Sequence, residues 1–311
     1  MVIIFVSDPS CWQSLYQRQP PSPLQRLHHP LLEQHRLTLW IKRDDLLHPL
    51  ISGNKWRKLK YILRQALSEQ ASGILSFGGA YSNHLHALAA AGHRLGLPTV
   101  GVVRGEPQSN NPTLVDARRW GMTLDFVDRQ QYRRRQDADW LAELARRYPG
   151  YVIVPEGGSC PQALPGVAEL WQELERELPA LDELILPVAS GGTLAGLLSA
   201  RPASTRVRGY AVLKGAGWLK EEVCRLYPPA AQDHGWKLEL SHHGGGYAKS
   251  SATDKAAIAE LAKQLGVPLE PIYSGKALLG LLRDIEAGRY AADSRLLFVH
   301  TGGMQGARGT L

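Results

Sequence analysis

The stretch that decides the fold is residues 73–103, which read GILSFGGAYSNHLHALAAAGHRLGLPTVGVV. It begins with the β-rich run 74–77, passes through a Gly-Gly turn into an alanine- and leucine-rich helical segment, and ends in a second β-rich run at 99–103. A strand, a helix and a second strand in this order are typical of a βαβ unit with parallel strands. The stretch therefore predicts an α/β fold.

The same alternation continues along the chain. Further short β-rich runs lie at 123–127, 151–154, 184–188, 207–213 and 295–300. Several predicted strands end in glycine-rich loops that lead into helices, at 78–80, 157–159, 191–193 and 301–303. Because ligands in open α/β sheets bind beyond the carboxyl ends of the strands, we expect these four loops to converge on one ligand.

Composition restricts the class of protein. The chain has 311 residues, 44% hydrophobic and 21% charged, which predicts a globular protein long enough for two lobes. The formal net charge of +7 raises the question of a polyanionic partner. The densest basic run, 133–135, is followed at once by Asp137 and Asp139, so we interpret it as a solvated face and expect no nucleic-acid partner.

Cysteine usage and the first residues indicate a cellular location. Cys11, Cys160 and Cys224 are odd in number and have no CxxC spacing, which is typical of a reducing cytoplasm without a disulfide framework. The apolar start MVIIFV is too short for a signal-peptide core or a membrane span. We therefore predict a cytoplasmic protein with no membrane partner.

A candidate reactive lysine opens a predicted helix. Residues 52–63 read SGNKWRKLKYIL, with Ser52 and Asn54 as candidate caps and apolar residues at 56, 59, 62 and 63, so an amphipathic helix begins here. Lys55 and Lys58 lie in its first turn. The positive helix N-terminus, together with Arg57 and Lys58, should lower the pKa of the Lys55 amine and attract a phosphate. Taken alone, this helix is more typical of a solvated basic helix start than of a reactive site.

Two glycine loops suggest anion sites. Residues 190–196, SGGTLAG, follow a strand and open a helix, so backbone N–H groups and the hydroxyls of Ser190 and Thr193 could hold a phosphate. The alternative is an ordinary tight turn. In the loop 78–84, Ser82 or Asn83 would cap the following helix, and free N–H groups there could also hold a carboxylate.

Two other kinds of site are not supported. His84 and His86 are two residues apart, on different sides of a helix, and no nearby acidic or cysteine ligands complete a metal site. The chain has no GxSxG motif of a serine hydrolase. We therefore predict no metal ligands.

Taken together, these motifs resemble the family of pyridoxal-phosphate enzymes that contains D-cysteine desulfhydrase and 1-aminocyclopropane-1-carboxylate deaminase, in the fold-type II group with tryptophan synthase β. The resemblance covers almost the whole chain and rests on residues 23–27, 39–45, 52–59, 78–84, 190–193, 271–276 and 300–303. It implies two three-layer domains, each built on an open twisted parallel sheet. The larger, cofactor-binding domain would comprise 1–56 and 157–311, the smaller domain 57–156, and the active site would lie between them.

The resemblance also implies roles for individual residues. Lys55 would carry pyridoxal 5'-phosphate as a Schiff base, and Asn83 would meet the phenolic oxygen of the cofactor. The phosphate would be held by Lys58, Ser190, Gly191, Gly192 and Thr193. The substrate carboxylate would be held by Ser82, Asn83 and His84. Tyr247 and Tyr273 would face the substrate, and a homodimer is implied.

Two positions indicate the branch of the family. Deaminases resemble one another in having Glu after the second tyrosine and Leu after the histidine of the last glycine motif, whereas this chain has Ser274 and Thr301, as in D-cysteine desulfhydrases. A hydroxyl near the pyridine nitrogen cannot keep it protonated as a carboxylate can, so the cofactor is a weaker electron sink and elimination of a good leaving group is favoured. Both residues are therefore candidate partners of that nitrogen.

The resemblance thus predicts α,β-elimination from a small D-amino acid, with Lys55 as the leading base for the α-proton and Ser82 as the second candidate. Tyr273 or Tyr247 would assist the leaving group, and D-cysteine would give pyruvate, ammonia and sulfide. The alternatives are a 1-aminocyclopropane-1-carboxylate deaminase, a serine or threonine dehydratase or amino-acid racemase, and a catalytically silent binding protein. Tyr81, Trp56 and the segment 244–249 depart from the common family pattern, which affects the substrate rather than the cofactor.

Overall fold

A computed structural model describes residues 9–17, 19–178, 180–305 and 308 of the chain. Its helices are α1 (Pro9–Tyr16), α2 (Pro30–Gln34), α3 (Asn54–Ser68), α4 (Asn83–Leu95), α5 (Pro112–Arg119), α6 (Arg129–Arg133), α7 (Ala138–Arg147), α8 (Leu164–Glu177), α9 (Gly192–Leu198), α10 (Leu219–Leu226), α11 (Ala252–Leu265) and α12 (Ser274–Glu286). Its strands are β1 (Leu24–Leu27), β2 (Thr38–Lys42), β3 (Gly73–Gly79), β4 (Thr99–Arg104), β5 (Thr123–Val127), β6 (Tyr151–Val154), β7 (Glu183–Val188), β8 (Arg206–Ala211), β9 (Trp236–Glu239) and β10 (Arg295–Val299).

The strands form two sheets. A six-stranded sheet has the order β1-β2-β10-β7-β8-β9, and a four-stranded sheet has the order β5-β4-β3-β6. All neighbouring strands run parallel except β1, which pairs antiparallel with β2. Every strand predicted from the β-rich runs is present, so the predicted α/β class with parallel sheets is confirmed.

Both sheets are covered on two faces, as parallel sheets require. In the six-stranded sheet, Leu184 and Leu186 of β7 pack in one apolar cluster with α8, α9 and α10. Ile185 of the same strand packs on the opposite face with α11 and α12. Alternate residues of one strand thus enter different cores, which gives three layers.

The four-stranded sheet repeats this pattern. Ile74 of β3 belongs to a cluster that includes α3, α4 and α5, while Leu75 and Phe77 belong to a cluster with Trp140 and Leu144 of α7. The expected three-layer, fold-type II architecture is therefore confirmed. The strands of this sheet all lie between residues 73 and 154, and those of the larger sheet lie before 43 or after 182.

The predicted caps of α3 are wrong. The residue before the helix is Gly53, with φ +65°, and it makes no side-chain capping bond. A Cβ atom on Gly53 would lie 2.0 Å from the carbonyl oxygen of Thr301, so the close approach of the last glycine loop requires glycine here. The Ser52 hydroxyl instead donates to the carbonyl oxygen of Asp45 at 3.4 Å. Asn54 lines a cavity of about 570 Å³. The predicted apolar stripe of α3 is confirmed, since Trp56, Leu59, Ile62 and Leu63 are buried.

Within the described part of the chain, no helix combines the length and apolar character needed to cross a membrane. Cys160 and Cys224 are free thiols. The apolar start at residues 1–6 lies outside the described residues, as does the side chain of Cys11.

Candidate active site

A cavity of about 570 Å³ lies where the carboxyl ends of β3, β6, β7 and β10 meet. All four glycine loops predicted to converge contribute to its wall, so that prediction is confirmed. The predicted site residues that line the cavity are Lys55, Ser82, Asn83, His84, Ser190, Gly191, Thr193, Tyr247, Tyr273 and Thr301. Lys58, Gly192 and Ser274 lie behind this wall.

Lys55 stands in the first turn of α3 with its amine at the cavity wall. Its Nζ donates a hydrogen bond of 3.3 Å to the carbonyl oxygen of Gly157. Burial lowers the pKa of Lys55 to about 8, and the carboxylate of Glu156 opposes this shift. A larger fraction of neutral amine is therefore available at neutral pH than for an ordinary lysine.

The predicted cause of this shift is wrong in part. Arg57 does not face Lys55, because its guanidinium is bound by Asp44 at 2.7 and 2.8 Å and by Glu173 at 2.8 and 3.0 Å. These ion pairs fix α3 to the turn after β2 and to α8. Desolvation, which the sequence could not reveal, is the main cause of the low pKa of Lys55.

Lys58 is the centre of a buried polar cluster. Its Nζ donates to the carbonyl of Gly157 at 3.1 Å, to Ser159 Oγ at 3.0 Å and to Ser190 Oγ at 3.4 Å. The two serine hydroxyls lie 2.8 Å apart. Burial, and then the charge of Lys55, hold the pKa of Lys58 well below its usual value. A bound phosphate would favour the protonated ammonium again.

The glycine loop 190–193 closes over this cluster. A Cβ atom on Gly192 would lie 2.7 Å from Ser159 Oγ and 2.9 Å from Lys58 Nζ, so only glycine permits the backbone to approach so closely. Thr193 Oγ1 accepts a hydrogen bond of 2.9 Å from Asn54 Nδ2, which ties the loop to the start of α3. The N-terminus of α9 thus faces the cavity beside a lysine and several hydroxyls, an arrangement suited to phosphate.

The second anion site lies at the start of α4. Ser82 caps this helix by accepting the N–H of Leu85 at 3.2 Å, as predicted. His84 is buried, with Nε2 2.8 Å from Ser76 Oγ and with no partner for Nδ1 among the described residues. Burial holds the pKa of His84 well below its usual value, so the ring is neutral. Ser82, Asn83 and the start of a 13-residue helix therefore bring N–H and O–H groups to the cavity wall.

Two tyrosines form the outer side of the cavity. The Tyr273 hydroxyl donates to the Tyr247 hydroxyl at 3.1 Å, and the rings meet edge to face with centroids 6.1 Å apart. Burial, followed by the nearby Tyr247, raises the pKa of Tyr273 well above its usual value, so it stays protonated. Tyr247 is 46% exposed and lies at the cavity mouth.

The two candidate hydroxyls near the last glycine loop differ in their environment. Thr301 lines the cavity and is 7% exposed. Ser274 is completely buried, and its Oγ has no hydrogen-bond partner among the described residues. A buried hydroxyl without a partner is rare and suggests that a ligand atom completes the site.

Four residues that form or support the cavity were not predicted as site residues from the sequence: Asn54, Glu156, Ser159 and Glu270. Glu270 is almost fully buried, and its carboxylate accepts the N–H groups of Ile272, Tyr273 and Ser274 at 2.6 to 2.9 Å. Burial raises the pKa of Glu270 to about 8, while these N–H donors oppose the shift. Glu270 thus fixes the turn that presents Tyr273 and Ser274. The only sequence signal was a carboxylate shortly before a predicted helix start.

The observed residues fit pyridoxal phosphate. Its phosphate matches the cluster of Lys58, Ser159 and Ser190, its aldehyde matches the low-pKa amine of Lys55, and its ring nitrogen matches the unpartnered hydroxyl of Ser274 or the cavity-lining Thr301. The cavity of about 570 Å³ leaves room for a small substrate beside the ring. Among the described residues, no group of His, Cys, Asp and Glu could hold a metal ion.

Curated relatives match over most of the chain. The chain is 30% identical to the D-cysteine desulfhydrase of Yersinia pestis, covering 91% of each protein. It is 29% identical to a mitochondrial bifunctional D-cysteine desulfhydrase/1-aminocyclopropane-1-carboxylate deaminase of Arabidopsis thaliana, covering 92% of the chain and 77% of the relative. A Thermotoga maritima protein with the provisional name of 1-aminocyclopropane-1-carboxylate deaminase is 32% identical, covering 92% and 95%.

Solved structures agree with this match. The crystal structure of an ACC deaminase homologue superposes with a TM-score of 0.80 at 29% identity and covers 95% of both chains. Serine racemase from Dictyostelium discoideum, at 15% identity and a TM-score of 0.70, shares the fold. A family model described as "Pyridoxal-phosphate dependent enzyme" matches residues 16–302, which is most of the chain. The protein therefore belongs to the family of pyridoxal-phosphate dependent enzymes, and the cofactor predicted from its motifs is confirmed.

Proposed function

We propose that the protein is a D-cysteine desulfhydrase, a lyase that converts D-cysteine and water into pyruvate, sulfide and ammonia. The observation that carries this proposal is the pair of hydroxyls, Ser274 and Thr301, at the end of the cavity assigned to the pyridine nitrogen. The buried carboxylate of Glu270, four residues before Ser274, already accepts three backbone N–H groups. Relatives named for D-cysteine desulfhydrase and for the deaminase both support the wider class of lyase.

When bound, pyridoxal phosphate supplies an electron sink for the electrons released at the α-carbon of the substrate. In our proposal Lys58, Ser190, Gly191, Gly192 and Thr193 hold its phosphate, and Asn83 meets its phenolic oxygen. Burial holds the pKa of Lys58 well below its usual value, and a bound phosphate favours its ammonium form again, so Lys58 makes the strongest of these contacts once the phosphate is in place. Lys55 is the covalent anchor.

We assign the substrate carboxylate to the start of α4. Ser82, Asn83 and His84 bring their donors to the positive N-terminus of α4. The buried, neutral ring of His84 is hydrogen-bonded to Ser76, and this contact holds the start of the helix in place. This arrangement orients the α-carbon of a small amino acid toward Lys55. Larger groups on the substrate would project toward the mouth near Tyr247.

Proton transfer is assigned to Lys55 and the two tyrosines. Lys55 Nζ accepts the α-proton, because burial keeps a useful fraction of this amine neutral near pH 7. Ser82 is the second candidate base. The Tyr273 hydroxyl donates to that of Tyr247, which leaves the Tyr247 proton available for the departing sulfur.

The alternative within the class is a 1-aminocyclopropane-1-carboxylate deaminase, which the names of several relatives favour. A serine or threonine dehydratase or an amino-acid racemase of the same fold is a more distant alternative. One assay separates them: pyruvate release from D-cysteine, L-cysteine, D-serine and 1-aminocyclopropane-1-carboxylate under the same conditions. We expect D-cysteine to have the highest kcat/KM, and higher turnover of the cyclopropane substrate would contradict the proposal.

Three further predictions stay proposals. The two sheets are consistent with a larger domain at 1–56 and 157–311 and a smaller domain at 57–156, with the cavity between them. A homodimer is proposed from the family resemblance, and sedimentation would test it. A location in the cytoplasm is proposed from the cysteine usage.

A further inference from the structure

Tyr247 lies on a glycine-rich loop with three hydrogen bonds of its own, from Gly246 N–H to His243 O at 3.1 Å, from Lys249 N–H to Gly246 O at 3.1 Å and from Gly245 N–H to His243 Nδ1 at 2.9 Å. In the loop 243–249, Gly244, Gly245 and Gly246 follow one another with φ values of +59°, +97° and +124°, and Ala248 has φ +53°. Consecutive glycines lose much conformational freedom when they are ordered, so their own backbone preference does not hold this path. The bonds within the loop do not involve Tyr247 itself, so the position of its hydroxyl also depends on contacts from outside the loop.

Lys276, in the first turn of α12, makes the main contact of this kind. Its Nζ donates to the carbonyl oxygens of His243 at 3.1 Å and of Gly246 at 2.7 Å, so it bonds both sides of the glycine run. Its Cε would lie 3.2 Å from a Cβ on Gly244. Across the described residues, the other side chain that donates to this loop from outside is Tyr273, through its hydroxyl.

The charge and burial of Lys276 make this contact strong. The residue is 4% exposed, and a charged donor in a desolvated site bonds a carbonyl more strongly than a neutral donor does. Burial lowers the pKa of Lys276 to about 8, while the carboxylates of Glu270 and Asp254 favour its charged form. Lys276 lies two residues after Ser274, the first residue of α12, and three residues after Tyr273, which precedes the helix. The first turn of α12 therefore connects the loop 243–249 to the inner site.

We propose that Lys276 is a positioning residue that holds the loop 243–249 closed and thereby places the Tyr247 hydroxyl against that of Tyr273. Its counterpart is Glu270, which fixes Tyr273 through backbone N–H groups. Two buried ionisable side chains, Lys276 and Glu270, thus hold the two tyrosines, one from each side. The catalytic part of this inference rests on the proposed role of Tyr247, whereas the loop contact does not.

The first test is hydrogen exchange of the loop amides in the cofactor-loaded protein, by mass spectrometry. In Lys276→Met we expect peptides covering 243–250 to exchange at least about tenfold faster, because two charge-assisted hydrogen bonds are lost. Lys249→Met is the matched control, since it removes the same charge from an exposed position on the loop itself. Exchange in Lys276→Met within twofold of the wild type would overturn the proposal.

A conservative variant, Lys276→Arg, distinguishes the loss of loop positioning from a general folding defect. A second cavity, of about 260 Å³, is lined by Lys276 and gives room for a longer side chain. Lys276→Arg retains the charge and the donors, so we expect it to restore slow exchange of the loop. If Lys276→Arg and Lys276→Met lose protection equally over the whole chain, the residue is only structural and the proposal is wrong.

Kinetics with D-cysteine test the link to Tyr247. We expect Lys276→Met to lower kcat about tenfold, with an unchanged cofactor absorbance band. When Tyr247→Phe is already present, Lys276→Met should lower kcat by less than about twofold, because the tyrosine it positions is gone. If Lys276→Met lowers kcat by the same factor with and without Tyr247→Phe, the inference that Lys276 acts on catalysis through Tyr247 is wrong. If the wild type does not turn over D-cysteine, the proposed function fails, while the exchange data still decide the role of Lys276.

Discussion

The two ends of the cavity are held in different ways. At the inner end, Lys58 is 1% exposed and bonds one carbonyl and two serine hydroxyls within a cradle that admits only glycine at 192. At the outer end, Tyr247 and Trp218 are 46% and 52% exposed, and Tyr247 stands on a run of three glycines. The inner end is a closed network of hydrogen bonds, and the outer end is an open surface.

This difference separates the evidence for the cofactor from the evidence for the substrate. Phosphate recognition requires a few short motifs close to helix N-termini, so the inner end can be recognised from local sequence. Tyr247 and Trp218 line the open mouth, where side chains can change without loss of the fold, and our proposal for the substrate rests on two hydroxyls, Ser274 and Thr301, rather than on a phosphate motif. The cofactor is therefore established for this chain, whereas D-cysteine stays a proposal.

The largest expected effect is at the inner end, in Lys55→Ala. We expect turnover to fall by about 10³-fold or more, because the covalent anchor and the base for the α-proton are both removed. Pyruvate release and the absorbance band of the bound cofactor measure this. Lys60→Ala is the control on the same helix, since Lys60 pairs with Glu169 away from the cavity. Retention of more than a tenth of the wild-type rate would contradict the assignment.

The next effect concerns the phosphate cradle. In Lys58→Met we expect the dissociation constant for pyridoxal phosphate to rise about 10- to 100-fold, since a buried charge-assisted contact is lost. The kcat at saturating cofactor should change much less, because Lys58 does not line the reacting space. Titration of the cofactor-free protein measures the constant. An unchanged affinity would mean that the phosphate binds elsewhere.

The pH dependence of cofactor attachment tests the state of Lys55. Burial lowers its pKa to about 8, and only the neutral amine attacks an aldehyde, so the rate should rise as pH increases toward 8 and level off above it. Below the pKa the expected slope is about tenfold per pH unit. Stopped-flow absorbance at saturating cofactor measures this rate. A rate that continues to rise from pH 9 to 10 would indicate an ordinary lysine.

The smallest effect is expected at the buried hydroxyl. Ser274→Ala should leave the cofactor-free protein as stable as before or slightly more stable, because its Oγ has no protein partner among the described residues. With cofactor bound, the same change should weaken binding by about 1 kcal/mol, roughly fivefold. Thr301→Ala is the matched comparison on the cavity wall. Whichever variant shows the larger cofactor-dependent loss identifies the partner of the ring nitrogen.

The seven predicted strands include both buried strands and the partly buried edge strands β5 and β6 of the smaller sheet. The strands that were not predicted are β1, β2 and β9, of which β2 lies inside the larger sheet. β7 is buried at every position, so its apolar run is visible in the sequence. The edge strands β1 and β9 are short and only half-buried, and no periodic pattern marks them. The glycine loops were predictable because each follows a recognisable strand.

Most missed parts of the site depend on contacts between distant segments, whereas Glu270 accepts N–H groups from residues only two to four positions later. The residue before α3 is Gly53 because the carbonyl oxygen of Thr301, far along the chain, occupies the space that a Cβ atom would need. Desolvation of Lys55 depends on how the two sheets enclose it, and the role of Glu270 depends on a turn that has no helical signal. Local motifs and the family resemblance point to Lys55 as a candidate, but they do not contain the three-dimensional environment that lowers its pKa.

The most direct test of the site is to map where the cofactor attaches. Borohydride reduction of the loaded protein, followed by digestion and peptide mass spectrometry, fixes the cofactor to the amine that carries it. We expect the added mass on Lys55 and on no other lysine, including the neighbouring Lys58. A reduced adduct on Lys58, or on a lysine outside the cavity, would contradict the division of roles between anchor and phosphate cradle.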